Sequence, residues 1–176
     1  MADKIRVGIV GATVTPGGSG WGANAHVPAL QALSGYELKA VCTAHEETAR
    51  ASAETFGAEL AFHDMNEMVA HPDVDLIAVV VRVPLHKQLV MAAIEAGKPV
   101  CCEWPLGANL ADAAEMADSA KAAGLPTLVG LQAQSDPAVM FARDLVANDE
   151  IGDIVTVNLR VMVGAITERG DGRIWQ

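Results

Sequence analysis

Short β-branched or apolar runs alternate along the chain with longer alanine-rich stretches of helical spacing. The runs predict strands at IRVGIV (Ile5–Val10), ELKAVC (Glu37–Cys42), DLIAVVV (Asp75–Val81), PVCCEW and PTLVGLQ. The stretches between them predict helices at ANAHVPALQAL (Ala23–Leu33), EETARASAETFG, LHKQLVMAAIEAG (Leu85–Gly97) and NLADAAEMADSAKAAG. The run DLIAVVV is apolar on both faces, as in a parallel sheet that is covered on both sides. Strand and helix alternation of this kind predicts a doubly wound α/β sheet.

The alternation of predicted strands and helices changes near the end of the chain. DPAVMFARDLVANDEIG predicts a helix, and DIVTVNLRVMV (Asp153–Val163) then alternates as a long amphipathic strand. Such a strand needs a partner to cover its apolar side. We therefore expect residues 1–150 to form one domain and residues 151–176 to begin a second α/β domain. The chain is then either a fragment or lends this strand to a partner chain.

Charge and hydropathy narrow the class of protein. The 176 residues include 22 acidic and 12 basic side chains, for a net charge of −10. The basic residues form no cluster, and nucleic-acid binding needs a basic surface to neutralise phosphates, so we expect no direct contact with DNA or RNA. No apolar stretch reaches the roughly 20 residues of a membrane helix, and no signal peptide is recognisable. These features predict a cytoplasmic protein without membrane association.

The cysteines predict buried, reduced thiols rather than a metal or redox site. Cys101 and Cys102 are adjacent within an apolar run, and adjacent side chains of a strand point to opposite faces. His45, His63 and His71 lack the spacing of metal ligands. We therefore predict no metal site.

The loop after the first strand, GATVTPGGSGWG, is the first candidate ligand site, since ligands of doubly wound sheets bind beyond the carboxyl ends of strands. Its glycines precede a helix, and free N–H groups at a helix start suit a pyrophosphate. Gly11 and Gly20 are separated by residues 12–19, so the strict G-x-G-x-x-G spacing fails. Taken alone, this stretch is equally compatible with a cofactor loop and with a plain flexible loop.

The other strand-end loops carry single candidate residues. Thr43 stands where NAD enzymes usually place an acidic residue on the ribose hydroxyls; either the 2′-phosphate of NADP is accommodated there or no dinucleotide binds. His86 is either a ligand contact or a surface or capping residue. Glu103 either bonds a ribose or substrate hydroxyl or simply lies in the turn toward the next helix.

Taken together, these loops give the chain a resemblance to the glucose–fructose oxidoreductase / inositol dehydrogenase / MocA (Gfo/Idh/MocA) family over nearly its whole length. The matching pieces are VGIVGA…GWGANAHVPAL, ELKAVC, VDLIAVVVRVPLHKQLVMAAIEAGKPVCCEWPLG, LVGLQAQSDPAV and IGDIVTV. The resemblance implies a Rossmann domain that binds NADP or NAD, followed by an α/β domain with an open sheet. It also implies hydride transfer between NAD(P) and a small sugar-like or polyol substrate, and a homo-oligomer paired through the second domain.

The resemblance assigns roles to individual positions. The pyrophosphate positions are Gly11, Gly20, Trp21 and Gly22, with Trp21 shielding the pyrophosphate or the nicotinamide. The position facing the adenosine ribose is Thr43. The positions on the nicotinamide side are Val83, Pro84 and His86, with Glu103 and Trp104 beneath it as candidate catalytic positions.

The sequence departs from the family at its most diagnostic motif. The family's Glu-Lys-Pro, whose lysine assists proton transfer, reads Glu103-Trp104-Pro105 here, and a tryptophan cannot shuttle a proton. The family's usual acid/base histidine belongs to the second domain, beyond Gln176. VRVPLH, EWPL and LQAQSDP are most similar to the branch of the fungal galactose-regulon repressor, which keeps the dinucleotide fold and binds a transcription activator. The two expected functions are therefore an oxidoreductase and a cofactor-binding regulator with a protein partner.

Overall fold

The computed structural model describes residues 4–15 and 20–160. The chain divides into two compact units, Met1–Gly130 and Leu131–Gln176. The first unit contains the sheet and the helices that cover it. In the second unit, a 3₁₀ turn (Gln132–Ser135) is followed by a helix (Pro137–Ala147), and the Asp136 carboxylate caps that helix by accepting from the N–H groups of Ala138 and Val139. No helix within the described residues has the length and apolar character to cross a membrane.

The sheet of the first unit is parallel throughout. Its strands are β1 (Ile5–Val10), β2 (Tyr36–Cys42), β3 (Leu60–Phe62), β4 (Leu76–Val79), β5 (Val100–Glu103) and β6 (Thr127–Gly130). Their order across the sheet is β3-β2-β1-β4-β5-β6. The direction of winding reverses between β1 and β4, so the ligand crevice of such a sheet lies beyond the carboxyl ends of these two strands.

The helices of the first unit lie between successive strands. They are α1 (Val27–Ala32), α2 (Glu46–Phe56), α3 (Met65–Ala70), α4 (His86–Glu95) and α5 (Leu110–Ala122). A π-helical turn, Gly22–His26, leads directly into α1. As the sequence predicts, α2 ends at Gly57, which takes the left-handed conformation with φ 72°. Helix α5 is capped by Asn109, whose side chain accepts from the N–H of Asp112.

Two apolar clusters cover the two faces of the sheet. In the β4 region, Ile77 and Val79 belong to one cluster, whereas Ala78 and Val80 belong to the other. Because successive strand residues point to opposite faces, the clusters lie on opposite sides. The first cluster includes residues of α3, α4 and α5, and the second includes residues of α1 and α2. Burial on both faces explains the continuous apolar run that predicted this strand.

Four elements differ from the sequence-based expectation. The segment between α2 and β4 contains β3 and α3, which the hydrophobic pattern did not reveal because they span only 3 and 6 residues. The first helix, expected as one regular helix at Ala23–Leu33, begins with the π-helical turn. The strand expected at Asp153–Val163 does not form over residues 153–160, and residues 161–163 lie outside the described residues.

The missing strand has a physical reason. Val155 is 94% exposed and Val157 is 76% exposed, and residues 153–160 pair with no strand in the described part of the chain. A strand is held by hydrogen bonds to a neighbouring strand and by cover on its apolar side. Alternation along a sequence therefore shows that a segment suits a sheet, but the sheet itself must be present for the strand to form.

Candidate functional site

The end of β1 and the start of the next helix meet at two glycines. Gly11 has φ 99°, and a Cβ on it would lie 2.0 Å from the carbonyl oxygen of Val80. Gly22 opens the π-helical turn, and a Cβ there would lie 3.0 Å from the Gly11 carbonyl oxygen and 3.1 Å from Ala12 Cα. Gly11 therefore requires glycine, whereas a side chain at Gly22 would require the neighbouring backbone to shift by a few tenths of an ångström. Their bare backbones pack the helix start against the strand end, as in a dinucleotide-binding turn.

The stretched loop between these glycines is anchored on α2. The Val14 N–H donates to Oγ of Ser52, at 3.0 Å, and Ser52 is fully buried. After residues 16–19, which lie outside the described residues, the Gly20 carbonyl accepts from the Asn24 N–H at 3.0 Å. Trp21 is 55% exposed at the start of the π-helical turn. Sequence reasoning missed Ser52, because nothing in its own segment distinguishes it from other small helix residues.

Thr43, at the end of β2, is buried and bonded within its own loop. Its Oγ1 lies 3.0 Å from the His45 carbonyl oxygen and 2.7 Å from Oγ1 of Thr48. The Thr43 N–H also donates to the Phe62 carbonyl of β3 at 3.1 Å. The hydroxyl thus stabilises the loop after β2, and the side chain brings no negative charge to this end of the strand.

His86, at the start of α4, is fully buried. Its Nε2 lies 3.0 Å from the Val81 carbonyl oxygen, and its Nδ1 lies 3.0 Å and 3.2 Å from the carbonyl oxygens of Pro105 and Leu106. The imidazole therefore joins the loop after β4 to the loop after β5. It is not the surface residue that sequence reasoning offered as one alternative, because it is fully buried and backbone carbonyls lie at both ring nitrogens. Val83 lies half-buried in the 3₁₀ turn (Val83–Leu85) just before it.

Pro84 is exposed in the same turn, at the carboxyl end of β4. Trp104, directly after β5, is 62% exposed, and the Trp104–Pro105 peptide bond is cis. Pro84 and Trp104 therefore lie in loops that leave the sheet at the carboxyl ends of neighbouring strands. Both side chains contribute apolar surface to this edge.

Glu103, the last residue of β5, forms the main polar contact of this edge. Its Oε1 lies 2.7 Å from Nε2 of His26, and the two side chains are only 14% and 20% exposed. His26 ends the π-helical turn, so the pair joins the loop after β1 to the end of β5. Sequence reasoning missed His26, although a signal was present. Four residues after Gly22, it lies about one helical turn along and on the same side as the predicted phosphate position.

The three cysteines offer no nucleophile at this edge. Burial raises the pKa of the Cys42 thiol to about 11 and of the Cys102 thiol to about 12. It also raises the pKa of Cys101. All three thiols are free and are protonated near neutral pH. Across residues 4–15 and 20–160, no group of three or more His, Cys, Asp and Glu side chains is arranged to hold a metal.

Comparison with known proteins gives a consistent result for the first unit. The model of an oxidoreductase family with an NAD-binding Rossmann fold matches residues 5–131. The dehydrogenase aclE of Aspergillus oryzae is 35% identical over 164 residues, covering 92% of this chain and 45% of the relative. The galactose/lactose metabolism regulatory protein GAL80 of Saccharomyces cerevisiae is 28% identical over 167 residues, covering 90% of this chain and 38% of the relative.

A solved structure agrees with these matches. Levoglucosan dehydrogenase, in complex with NADH and L-sorbose, has a TM-score of 0.76 and 26% identity, covering 86% of this chain and 41% of that one. The chain thus spans less than half the length of each of these proteins. The matches confirm the predicted Rossmann-type fold and the predicted kinship with both dehydrogenases and a regulator.

Proposed function

Because the chain belongs to the Gfo/Idh/MocA oxidoreductase family, we propose that it is the cofactor-binding part of an NAD(P)-dependent oxidoreductase. The reaction is hydride transfer between NAD(P) and a hydroxyl of a sugar or polyol. One observation carries the proposal: Gly11 and Gly22 pack the helix start onto the end of β1, beside the switch point between β1 and β4. This is where doubly wound sheets bind dinucleotides.

The two glycines fit a pyrophosphate for steric and electrostatic reasons. Gly11 has no room for a Cβ, and Gly22 has none without displacing backbone, so the chain approaches itself closely at the start of the helix. N–H groups at a helix start carry partial positive charge, which favours phosphate oxygens. Gly20 and Trp21 precede this turn, and the Trp21 side chain is 55% exposed.

The choice between NADP and NAD depends on the end of β2. Thr43 brings no carboxylate to this position, so it neither binds both ribose hydroxyls in the manner of an acidic residue nor repels a 2′-phosphate. We therefore propose that NADP is accepted as well as NAD. The Thr43 contacts to His45 and Thr48 keep the loop in place for either nucleotide.

The nicotinamide side of the proposed site lies at the ends of β4 and β5. Val83 and Pro84 supply apolar surface there, while His86 holds the two loops together from below. We propose that Glu103, at the end of β5, accepts a hydrogen bond from a ribose or substrate hydroxyl. When bound, NAD(P) supplies the hydride acceptor or donor. The indole of Trp104 does not relay a proton, so in an active enzyme the proton leaves through another group.

The binding proposal is tested by titrating the chain with NADH and NADPH, followed by tryptophan fluorescence and calorimetry. We expect saturable 1:1 binding of at least one nucleotide. Gly22→Ala should weaken binding at least tenfold, because its Cβ would displace the backbone at Gly11 and Ala12. Gly35→Ala is the matched control, since no heavy atom lies within 4 Å of its added Cβ. Absence of binding of either nucleotide at millimolar concentration contradicts the proposal.

A second function is favoured by Trp104. It replaces the lysine of the family motif, and its 62% exposure suits a contact surface rather than a proton relay. The alternative is a NAD(P)-binding regulator without turnover, with a protein partner. Assaying hydride transfer by the full-length protein on a panel of sugars, with and without Trp104→Lys, separates the two. Turnover by the unmodified protein excludes the pure regulator, whereas turnover only after Trp104→Lys supports it.

A further inference from the structure

The carboxylate of Glu103 lies between two residues from other elements. On one side it bonds Nε2 of His26 at 2.7 Å. On the other side, Gly130 of β6 is its register partner in the sheet. A Cβ on Gly130 would lie 2.7 Å from Oε1 of Glu103 and 3.1 Å from its Cδ. The carboxylate therefore occupies the space that any larger residue at position 130 would fill.

We infer that His26 and Gly130 are positioning residues that hold the Glu103 carboxylate ready to accept a hydrogen bond from the ribose next to the nicotinamide. The inference rests on the proposed cofactor site and goes beyond it by assigning two residues outside the family motif. His26 directs the carboxylate through a hydrogen bond. Gly130 does so by leaving room for it.

The chemistry of a carboxylate permits both contacts at once. A carboxylate offers about four acceptor positions, more than the bond to His26 uses. Glu103 is a long side chain on a strand end, and left alone it would sample several rotamers. Holding it in one rotamer before the ligand arrives lowers the entropy lost on binding. Both partners are mostly buried, so water competes less for this bond than for one at the open surface.

The same bond links the two ends of the proposed site. His26 closes the π-helical turn that Gly22 opens, so its position is tied to the turn proposed to receive the pyrophosphate. Glu103 belongs to β5 and is carried by the sheet. The hydrogen bond between them therefore connects the proposed pyrophosphate position to the proposed nicotinamide side.

The test compares ADP with ADP-ribose, in which the second ribose is attached to the terminal phosphate. ADP carries adenosine and the pyrophosphate, and ADP-ribose adds the ribose that Glu103 would contact. Dissociation constants for both are measured by calorimetry on the 176-residue chain and on His26→Ala, His26→Gln and Gly130→Ala. His63→Gln, at an exposed histidine, and Gly35→Ala, in open space, are the matched controls.

We expect ADP-ribose to bind the unmodified chain more tightly than ADP. His26→Ala should weaken ADP-ribose roughly tenfold, the value of one hydrogen bond to a charged group, and change ADP less than about twofold. His26→Gln, whose amide also donates to a carboxylate, should recover part of the loss. Gly130→Ala should weaken ADP-ribose selectively with little loss of thermal stability, because its Cβ meets the end of a flexible side chain.

The outcomes separate the inference from the function on which it rests. If neither ADP nor ADP-ribose binds the unmodified chain, the proposed cofactor site and the inference both fail. If both bind but His26→Ala and Gly130→Ala weaken them equally, or leave both unchanged, only the positioning role is overturned. Should His26→Ala fail to fold, Gly130→Ala and Glu103→Gln test the same contact through the same pair of ligands.

Discussion

The amino ends and the carboxyl ends of the parallel strands, called here the amino edge and the carboxyl edge of the sheet, carry different kinds of side chains. At the amino edge, charged side chains close the strand ends: the Arg6 guanidinium pairs with Asp75 through contacts of 2.9 Å and 2.7 Å and also pairs with Asp73. Lys98 donates to the carbonyl oxygen of Val74 at 2.6 Å. At the carboxyl edge, bare glycines meet and tryptophans stand in solvent.

The difference separates stability from function. The polar groups of the amino edge bond one another, so this edge secures the crossover segments that enter the strands. At the carboxyl edge, the exposed indoles add little to folding, and the main polar pair, His26 with Glu103, is mostly buried. A surface whose exposed groups contribute little to folding is suited to binding a ligand.

Gly11→Ala should have the largest effect on the free energy of unfolding, because Gly11 is a position at the carboxyl edge where the fold itself requires glycine. The added Cβ would lie 2.0 Å from the Val80 carbonyl oxygen, in a backbone with φ 99°. We expect a loss of about 4 kcal/mol or more in the free energy of unfolding, measured by urea denaturation. Gly35→Ala should change it by less than about 1 kcal/mol; similar losses in both variants would contradict the steric argument.

The buried thiols of Cys42 and Cys102, near the carboxyl ends of β2 and β5, test whether solvent reaches the core from the carboxyl edge. Burial raises the pKa of Cys42 to about 11 and of Cys102 to about 12. Since the thiolate is the reactive form, we expect both to react with a disulfide reagent at pH 8 at least about 100-fold more slowly in the folded chain than in urea. Following the release of chromophore measures this, and rapid reaction of either thiol in the folded chain would show that the edge opens to solvent.

Asp75 tests the amino edge through pH. Arg6 lowers the pKa of Asp75 from 3.8 to about 2. Because the pKa in the folded state lies below that in the unfolded state, the carboxylate stabilises the fold above about pH 4, and this contribution is lost as the pH falls toward 2. We expect the urea midpoint of the unmodified chain to fall more steeply between pH 5 and pH 3 than that of Asp75→Asn. Equal slopes in the two proteins would show that the Arg6–Asp75 ion pair does not contribute to stability.

The contrast also predicts that Asp75→Asn leaves nucleotide affinity unchanged at neutral pH. The Asp75 carboxylate is more than a third exposed, so solvent screens it and the loss of stability should be modest. A parallel titration with NADH or NADPH on both proteins measures the affinity. A large change in affinity would mean that the two edges are not independent.

Trp104→Ala should have the smallest effect on folding. With 62% of its surface exposed, the side chain contributes little to the core, and we expect a change within about 0.5 kcal/mol in the free energy of unfolding. The same variant should alter the fluorescence response to nucleotide if the indole lies beside the nicotinamide. A large loss of stability would instead make Trp104 part of the fold.

Local pattern predicted most of the sheet because each strand carries its own signal. IRVGIV and DLIAVVV are apolar on both faces, and the structure places them at the centre of the sheet as β1 and β4. Gly57 ended a helix as predicted, since an αL residue favours glycine. The short β3 and α3 were not predicted, because 3 and 6 residues are too few to establish a hydrophobic period.

The candidate site was predicted less evenly. Gly11 and Gly22 were predicted as site residues because backbone constraints appear in the sequence as glycine, and Glu103 because its position follows from the end of a strand. For His86 the sequence offered a ligand contact or a surface or capping position, and it did not predict that three carbonyl oxygens of two loops would surround the imidazole. The segment VRVPLH could not predict these contacts, because two of the carbonyl groups belong to residues 19 and 20 positions further along the chain.

The amino-acid sequence by itself determined the layered sheet, the helices that cover it and the glycine joint at its first turn. Each of these depends on the alternation, apolar content or backbone freedom of neighbouring residues, which the sequence shows directly. Only the tertiary structure decided that His26 meets Glu103 across 77 positions and that Gly130 makes room for the carboxylate. Such contacts depend on which strands become neighbours and how far their loops reach, and those distances exist only after the sheet has formed.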